Sequence, residues 1–441
     1  MTPAASTVRT NALSPDESVA RRERRGLVRS GAVVLGLRLL ISGLMFGLQM
    51  IVARVLGLSE FGVYAYAMAW VQTLTVVGKF GVDSASLRYV SAHLARGETS
   101  LLSGFLQWSE HLTLRLSLLL GVGLILLVPL LVSSGQTSLR MSLWLGALLL
   151  IPTVSQALRQ SQLRAVGQVW QSLLLIAVWP ALAMSIASIL FVALDGRVLA
   201  PMIMGTQLFA VTFCWGLATW LRLRTSLGTV TTIPGDTRKQ DWSRTSLTFV
   251  GVAVAVHLKD HMGVMLGGTM MDTDSAGVLA ITERFAGVAL LGVESLNLYT
   301  APKFAAMHAR GETDKLWSLV RSSRLIGLAF AVPVSLAVWL ISFPLLGLIE
   351  TGFQAGRPVL AVLLIGAIVR AIAGPVAYAL SMSGRETTTL AGTLIGVGVN
   401  FVMSLLLMPW LGLMGLAIAS LLTNIVWAVF IHVQWKRPVA A

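Results

Sequence analysis

Charged residues are scarce in this chain. Only 12% of its 441 residues are Asp, Glu, Lys or Arg, which is about half the share of an ordinary soluble domain. Apolar residues make up 56% of the chain, and its mean hydropathy is +0.80. This composition argues strongly against a water-soluble enzyme and against disorder. The one cysteine, Cys214, can form no intrachain disulfide, which excludes a disulfide-stabilised scaffold.

Several catalytic motifs are also missing from the sequence. It contains no P-loop, no Gly-x-Ser-x-Gly turn and no glycine-rich nucleotide turn, so we expect no ATP hydrolysis, no catalytic residue and no cofactor in this chain. His257 and His261 lie four residues apart with Asp260 between them. Because no cysteine and no metalloprotease glutamate accompany them, we predict no metal site.

Long apolar runs dominate what remains. A membrane-spanning helix needs about 20 apolar residues, and the sequence contains twelve stretches that meet this need. We therefore predict an all-α polytopic membrane protein. The predicted spans are 30–53, 62–82, 109–132, 141–158, 170–193, 199–220, 246–269, 275–299, 323–347, 358–381, 389–409 and 411–433.

The basic residues predict how these spans are oriented. With the N-terminus inside, 24 Lys and Arg residues fall in cytoplasmic segments and only 4 in outside loops, as the positive-inside rule requires. The net charge of +14 is thus better explained by orientation than by nucleic-acid binding. We predict an inner (plasma) membrane protein with both termini in the cytoplasm. The polar tail 1–29 could alternatively be an organelle transit peptide, although its acidic residues count against that.

Two parts of the chain resemble each other at a shift of about 215 residues. Ala95-Arg96-Gly97-Glu98-Thr99 recurs as Ala309-Arg310-Gly311-Glu312-Thr313, and Gly62-Val63 recurs as Gly277-Val278. Six spans per repeat place both halves in the same orientation, so we predict two parallel six-helix lobes with a central cleft. The alternative is that the duplication merely builds one large bundle. The predicted boundaries are a tail 1–29, a lobe 30–220, a linker 221–245, a lobe 246–434 and a tail 435–441.

Ionisable residues inside the spans are the candidate site. Each costs roughly 2.5–3.5 kcal/mol to insert, so each is expected to face a partner or a cavity. We predict interhelical pairs of Lys259 with Glu283 and of Asp260 with Arg284. The cations outnumber the anions, which suits a substrate that carries phosphate or another acid. The alternative is that these residues only lock helices together. The predicted substrate-binding set is Arg38, Lys259, Asp260, Glu283, Arg284 and Arg370.

Two further groups have open interpretations. His257, Asp260 and His261 share one helix face and are candidates for a proton-linked role, because histidine titrates near physiological pH. Residues 84–94 show the spacing of a short amphipathic helix on the cytoplasmic surface. Basic residues near this segment and its repeat could contact lipid phosphates, or they could be ordinary positive-inside charges. These residues are Arg88, Arg96, Lys303 and Arg310.

Short motifs throughout the chain resemble those of the polysaccharide-transporter branch of the multidrug/oligosaccharidyl-lipid/polysaccharide exporter superfamily. The matching stretches are Ala53-Arg54-Val55-Leu56-Gly57 with Phe61-Gly62-Val63-Tyr64, Gly81 to Arg88-Tyr89-Val90, Ala301-Pro302-Lys303, Phe353 to Leu360, Ser381-Met382-Ser383-Gly384-Arg385, and Asn400 through Pro409 to Ala419.

This resemblance implies a function. It implies a flippase that moves polyprenyl-diphosphate-linked oligosaccharide to the outer leaflet by alternating access, for surface polysaccharide or exopolysaccharide synthesis. The expected partners are that substrate, membrane lipids and a polysaccharide polymerase complex, without nucleic acid. Two alternatives remain. One is a cation-coupled multidrug exporter of the same superfamily, for which an acidic chamber would be expected. The other is a membrane polysaccharide polymerase or ligase, which the short outside loops disfavour.

Overall fold

A computed structural model describes residues 15–168, 171, 179–230 and 239–436, with side chains from residue 43 onward apart from thirteen further positions in the described helices. The chain divides into two units, 1–43 and 44–441. In the first unit the backbone is helical from residue 15. Residues 1–14 of the predicted tail 1–29, and the side chains of the rest of the tail and of Arg38, therefore lie outside what the structure describes.

Helices make up nearly all of the described residues, and no strand occurs among them. The helices are α1 Pro15–Lys79, α2 Val82–Arg96, α3 Thr99–Leu131, α4 Thr137–Ala165, α5 Trp179–Asp195, α6 Ala200–Leu223, α7 Ser226–Val230, α8 Lys239–Met270, α9 Thr273–Ala309, α10 Thr313–Ile349, α11 Arg357–Met382, α12 Glu386–Leu411 and α13 Leu413–Lys436. A 3-10 segment, Thr351–Gly356, lies between α10 and α11.

The chain is a multi-pass membrane protein. Within the described ranges, ten helical stretches are long and apolar enough to cross a bilayer. One of them, Gly43–Leu94, has 52 residues, more than twice what one crossing needs, and it contains a break at Gly57. The predicted span 170–193 is described only in part, and its apolar helix Trp179–Phe191 is present. The helices thus agree with the twelve predicted spans wherever the structure describes them.

The break in α1 shows how the repeat is built into the backbone. Gly57 has φ 72° and ψ 176°, a conformation that only glycine adopts easily. A shift of 215 residues carries Gly57 onto Asp272, the N-cap of α9. The junction between the first two spans therefore matches the junction between α8 and α9.

The two Ala-Arg-Gly-Glu-Thr segments adopt the same turn. Gly97 has φ 68° and Gly311 has φ 69°, and both turns contain the same backbone hydrogen bonds. The amide of Glu98 donates to the carbonyl of His93, and the amide of Glu312 donates to the carbonyl of Met307, each at 3.0 Å. A left-handed glycine that ends a helix in this way is a common C-cap. The repeated pentapeptide thus corresponds to a repeated structure.

The two halves meet at the repeated glycines. A methyl group on Gly62 would lie 2.0 Å from the carbonyl oxygen of Thr273, and one on Gly277 would lie 3.0 Å from the Cα of Gly62. The backbones of α1 and α9 therefore touch where only glycine fits. Because residues related by the 215-residue shift face each other, a pseudo-two-fold axis passes between them.

Further links between the halves lie at the same end, which is the end predicted to face outward. Arg54 donates to the carbonyl of Leu348 at 2.7 Å, and the amide of Leu58 donates to the carboxylate of Glu350. Within the first half, Glu60 accepts hydrogen bonds from Ser138 at the start of α4 and from the amide of residue 200 in α6. Together these contacts fasten the outer ends of the helices to one another.

The buried apolar residues form different clusters at the outer and inner ends of the molecule. The largest core cluster takes residues from both halves, including Phe61 and Val71 of α1, Leu279 of α9 and Phe353. Two further clusters lie toward the predicted inner end. One surrounds Phe105 of α3 and includes Trp242 from the start of α8, and the other joins α9, α10, α11 and α13 of the second half. The halves thus share a large core at the outer end, and at the inner end the start of α8 packs into the core of the first half.

Large apolar side chains also cover the outside of the helices. Leu119, Leu130, Phe209 and Trp410 have 68%, 81%, 74% and 88% of their surface exposed. A soluble protein rarely exposes so much contiguous apolar surface. These faces are suited to contact acyl chains.

Candidate functional site

The ionisable residues of α8 lie in the middle of the second half, and Asp260 is their hub. Its Oδ1 atom lies 2.8 Å from Nζ of Lys259 and 3.2 Å from Nη1 of Arg370 on α11. One carboxylate therefore serves two cations. This corrects the predicted pairing, in which Lys259 met Glu283 and Asp260 met Arg284. The prediction was wrong because Arg370, from a helix more than 100 residues away in sequence, reaches Asp260.

Lys259 points away from the histidine face of α8, as the helix geometry predicts. Its side chain is 8% exposed and passes Gly396 of α12, where a methyl group would lie 3.5 Å from its Cδ. Its Nζ lies 5.7 Å from the ring centre of Trp427, within reach of a cation–π interaction. The Asn400 amide donates to the Lys259 carbonyl at 3.2 Å. Lys259 is thus enclosed by α12 and α13 and returns to its neighbour Asp260.

The two histidines connect this cluster with the first half of the chain. Nε2 of His257 lies 3.1 Å from the hydroxyl of Thr73 on α1. The rings of His257 and His261 are 4.6 Å apart, and Nδ1 of His261 lies 3.9 Å from Oε2 of Glu283 on α9. Thr73 was not predicted as a site residue, because a lone threonine in an apolar run gives no signal. Its contact places α1 against the charged face of α8.

Arg284 on α9 is the cation of this charged cluster whose guanidinium is not held by another described side chain. It is half-buried and forms no hydrogen bond or ion pair with any residue that the structure describes. The next residue, Phe285, packs edge-on against Phe46 of α1 with ring centres 5.0 Å apart, so this stretch of α9 also faces the first half. Guanidinium groups bind carboxylates and phosphates through paired hydrogen bonds. Arg284 is therefore positioned to bind an anion.

The charges of the described cluster do not cancel. Lys259, Arg284 and Arg370 face only two carboxylates, Asp260 and Glu283, which leaves one positive charge when the histidines are neutral. The side chains of Asp260, Glu283 and Arg370 are 27%, 23% and 29% exposed. They are thus neither sealed in the core nor fully open.

A second buried network, which the sequence does not reveal, lies in the first half. Glu110 of α3 pairs with both Arg159 of α4 and Arg222 of α6, the latter at 2.5 Å. Both guanidinium groups also donate to the side-chain oxygen of Gln162, at 3.2 and 3.3 Å. These three helices are distant in sequence, so only the fold brings the four residues together. The network fastens the inner ends of α3, α4 and α6.

With this geometry described, sequence comparison identifies the family. The family model described as polysaccharide biosynthesis protein matches residues 27–307, which is more than half of the chain. The chain belongs to this family. This match confirms, at the level of the family, the resemblance that the sequence motifs indicated. No curated protein sequence matches the chain.

Solved structures share the fold of this polysaccharide biosynthesis protein. An inward-facing multidrug resistance MATE transporter matches with a TM-score of 0.72 and 13% identity, over 89% of this chain and 93% of that one. The lipid II flippase MurJ, in an inward closed conformation, matches with a TM-score of 0.67 and 13% identity, over 92% of this chain and 88% of that one. The Vibrio cholerae MATE transporter VcmN in its bent form matches with a TM-score of 0.59 and 18% identity, over 92% and 97%.

These matches establish an all-helical transporter or flippase fold, to which the predicted twelve helices in two lobes conform. At such low identity, they carry no information about the substrate. The similar proteins are transporters and flippases, in agreement with the expectation that this chain is not an enzyme.

Proposed function

We propose that this protein flips polyprenyl-diphosphate-linked oligosaccharide from the cytoplasmic to the outer leaflet of the inner membrane, by alternating access of its two halves. Both termini would lie in the cytoplasm. The product would supply surface polysaccharide or exopolysaccharide synthesis, with a polymerase complex acting on the flipped substrate. The observation that carries this proposal is the excess of cations around Asp260 and Arg284, halfway along the spans of a chain in a polysaccharide biosynthesis family.

The chemistry of the cluster supports a diphosphate as the recognised group. Arg370 and Lys259 share one carboxylate, so neither cation is fully neutralised, and Arg284 forms no direct ion pair in the described part of the chain. An incoming diphosphate would supply the missing negative charge. Charge-assisted hydrogen bonds of this kind are worth about 1.5–3 kcal/mol each. Arg38 was predicted to complete the set from α1.

The packing of the halves supports alternating access. They share a large core at the predicted outer end, while α9, α10, α11 and α13 form a core of their own at the inner end. In a parallel duplicated transporter, rocking of the two lobes exposes a central site first to one side and then to the other. Thr73 and Phe46 place α1 next to the charged helices, so such rocking would change the surroundings of the cluster. His257, Asp260 and His261 are the proposed proton-linked groups.

A reconstituted flipping assay tests this function. Proteoliposomes would carry polyprenyl-diphosphate-linked oligosaccharide in one leaflet, and an impermeant glycosidase would report its arrival in the other. We expect Arg284→Ala and Arg370→Ala each to lower the initial rate at least about 10-fold, because each removes a charge-assisted hydrogen bond to the diphosphate.

The matched control is Arg357→Ala, at the start of α11, whereas Arg370 lies in the middle of that helix. Its guanidinium lies over the rings of Trp339 and Phe343, at 4.6 and 5.1 Å, away from the cluster. We expect the flipping rate of this variant to stay within about twofold of the parent. Normal flipping by both Arg284→Ala and Arg370→Ala would refute the cationic site.

The alternative function is the cation-coupled multidrug exporter. The fold supports it equally, since MATE transporters share it. The same vesicles decide between the two functions when they are loaded with a fluorescent organic cation. Ion-gradient-dependent movement of the cation, with no flipping of the oligosaccharide lipid, would establish the exporter and overturn the flippase.

A further inference from the structure

A second basic pocket lies away from the central cluster, between α2 of the first half and the start of α8. Its volume is about 390 Å³. Arg88 and Arg96 line it from α2, and Asp241, Trp242 and Arg244 line it from α8. It is at the predicted inner end of the molecule, where the start of α8 packs against the first half, and it lies between the two halves there. The proposed function makes no use of it.

The pocket carries an excess of positive charge. Three guanidinium groups surround it and one carboxylate, Asp241, opposes them. In the described part of the chain, neither Arg88 nor Arg96 takes part in an ion pair. Arg88 lies over the Tyr89 ring at 5.8 Å. Arginines grouped around a concave surface are suited to bind phosphate, because each can donate two parallel hydrogen bonds.

The pocket has a rigid floor. Trp242 is 1% exposed and packs against Phe105 and Trp108 of α3, with ring centres 5.4 and 5.7 Å away. The hydroxyls of Tyr89 and Thr245 lie 2.9 Å apart. A preformed pocket loses little conformational entropy when it binds a ligand.

One lining residue has an unused polar atom. His93 is 6% exposed, and its Nδ1 lies 2.6 Å from the carboxylate of Glu98. Its Nε2 is buried and has no hydrogen-bond partner among the residues that the structure describes. A buried polar atom without a partner is costly. Because Nδ1–H is used by Glu98, this nitrogen can donate to an anion in the pocket when the ring is an imidazolium.

The surroundings of the pocket point to a lipid as the source of the anion. Leu87, next to Arg88 on α2, is exposed, and α2 was predicted to lie on the cytoplasmic surface. Exposed leucine beside arginine is the pattern of a helix at the boundary of the bilayer. The cytoplasmic leaflet concentrates anionic lipids, whose phosphates attract each nearby Lys or Arg.

We propose that this pocket binds the phosphate of an anionic lipid of the inner leaflet, through Arg88, Arg96 and Arg244. The bound headgroup contacts α2 of the first half and α8 of the second half at once. It therefore stabilises the contact between the halves at their inner end. This site is separate from the central cluster and does not depend on which substrate the protein moves.

Lipid binding to the full-length protein in a neutral detergent tests the proposal. The probe is radiolabelled dioctanoyl-phosphatidylglycerol, and binding is measured by scintillation proximity. We expect the double variant Arg88→Gln/Arg96→Gln to bind about 30-fold more weakly than the parent, because each arginine contributes about fivefold. The elution profile of the variant on size exclusion verifies that it is folded.

The internal repeat provides a matched control. Lys303 and Arg310 are the counterparts of Arg88 and Arg96 in the second half. Lys303 lies over the Tyr299 ring at 4.0 Å, and Arg310 pairs with Glu312 at 3.3 Å. The variant Lys303→Gln/Arg310→Gln removes the same charge from the same predicted side of the membrane. We expect its affinity for the lipid to change less than about threefold. An equal loss in both double variants would show general surface attraction and overturn the site.

Two further ligands separate the possible sources of the phosphate. Dioctanoyl-phosphatidylcholine, whose headgroup has no net charge, should compete poorly. Soluble glycerol phosphate should compete only at concentrations far above those of the lipid. If glycerol phosphate competes as well as the lipid does, the ligand is a free phosphate and the lipid proposal fails. If phosphatidylcholine competes equally, the pocket does not select negative charge, and the proposal fails as well.

Discussion

The contact of Gly62 with Thr273 leads to a quantitative prediction about how the two halves move. A methyl group at position 62 would lie 2.0 Å from the carbonyl oxygen of Thr273, whereas carbon and oxygen ordinarily approach to about 3.3 Å. Gly62→Ala must therefore separate α1 from the start of α9 by about 1.3 Å. Overpacking of this kind costs about 1–3 kcal/mol. A cost of about 2 kcal/mol would shift the balance toward states open at the outer end by about 30-fold.

Spin-label distances measure this shift directly. The sole cysteine, Cys214, is buried, and Cys214→Ser gives a background for labels at Ser134 and Thr351, which are exposed at the predicted outer ends of the two halves. Double electron–electron resonance should show a longer mean distance, or a new long component, in the Gly62→Ala variant.

The control is Gly47→Ala on the same helix, because nothing lies within 4 Å of the methyl group it adds. We expect the distance distribution of this variant to match that of the parent. Identical distributions for Gly62→Ala and the parent, at equal expression and folding, would refute the view that this glycine contact holds the outer ends together.

Other contacts give predictions that separate structural from functional roles. Asp260→Asn should lower the midpoint of thermal unfolding in detergent, because it leaves buried Lys259 without its carboxylate, at a cost of about 3 kcal/mol; adding Lys259→Met should recover most of the loss, and no recovery would refute the pairing. Glu110→Gln should also lower that midpoint, by the equivalent of about 2–3 kcal/mol, since two guanidinium groups lose their shared carboxylate; an unchanged midpoint would show that the network is not structural. If His257 carries a proton during the cycle, Thr73→Val should alter the pH dependence of transport, because it removes the hydroxyl that contacts this histidine. The stability of the variant should stay within about 1 kcal/mol of the parent, as judged from the unfolding midpoint, and this distinguishes the effect from lost packing.

Much of the fold could be predicted from local patterns in the sequence. The positions of the spans follow from the apolar runs. Helices break at Gly57, Gly97 and Gly311, and each of these glycines has a positive φ. The repeat of Ala-Arg-Gly-Glu-Thr predicted two equivalent turns, which the structure contains. Each of these features depends on residues that are close together in the sequence, so a single sequence is enough to predict it.

The partners of the charged residues could not be predicted in the same way. The positions of Lys259, Asp260 and Arg284 were clear, because charge inside an apolar run is conspicuous. Which helix each side chain meets depends on the rotation of that helix and on the reach of the side chain. Arg370 takes the place predicted for Arg284 because its long side chain reaches Asp260 from α11, and no local pattern reveals that contact. Thr73 went unnoticed because threonine is common in membrane helices.

The apolar core that the halves share at the outer end would be the pivot of the proposed rocking motion. Helix α3 has 33 residues and is about 50 Å long, so a rotation of roughly 10° about that pivot would carry its far end through about 9 Å. Side chains near the pivot would rearrange very little during such a rotation. At the far end, Trp242 of α8 packs against Phe105 and Trp108 of α3, so the start of α8 would either move with the first half or release this aromatic contact.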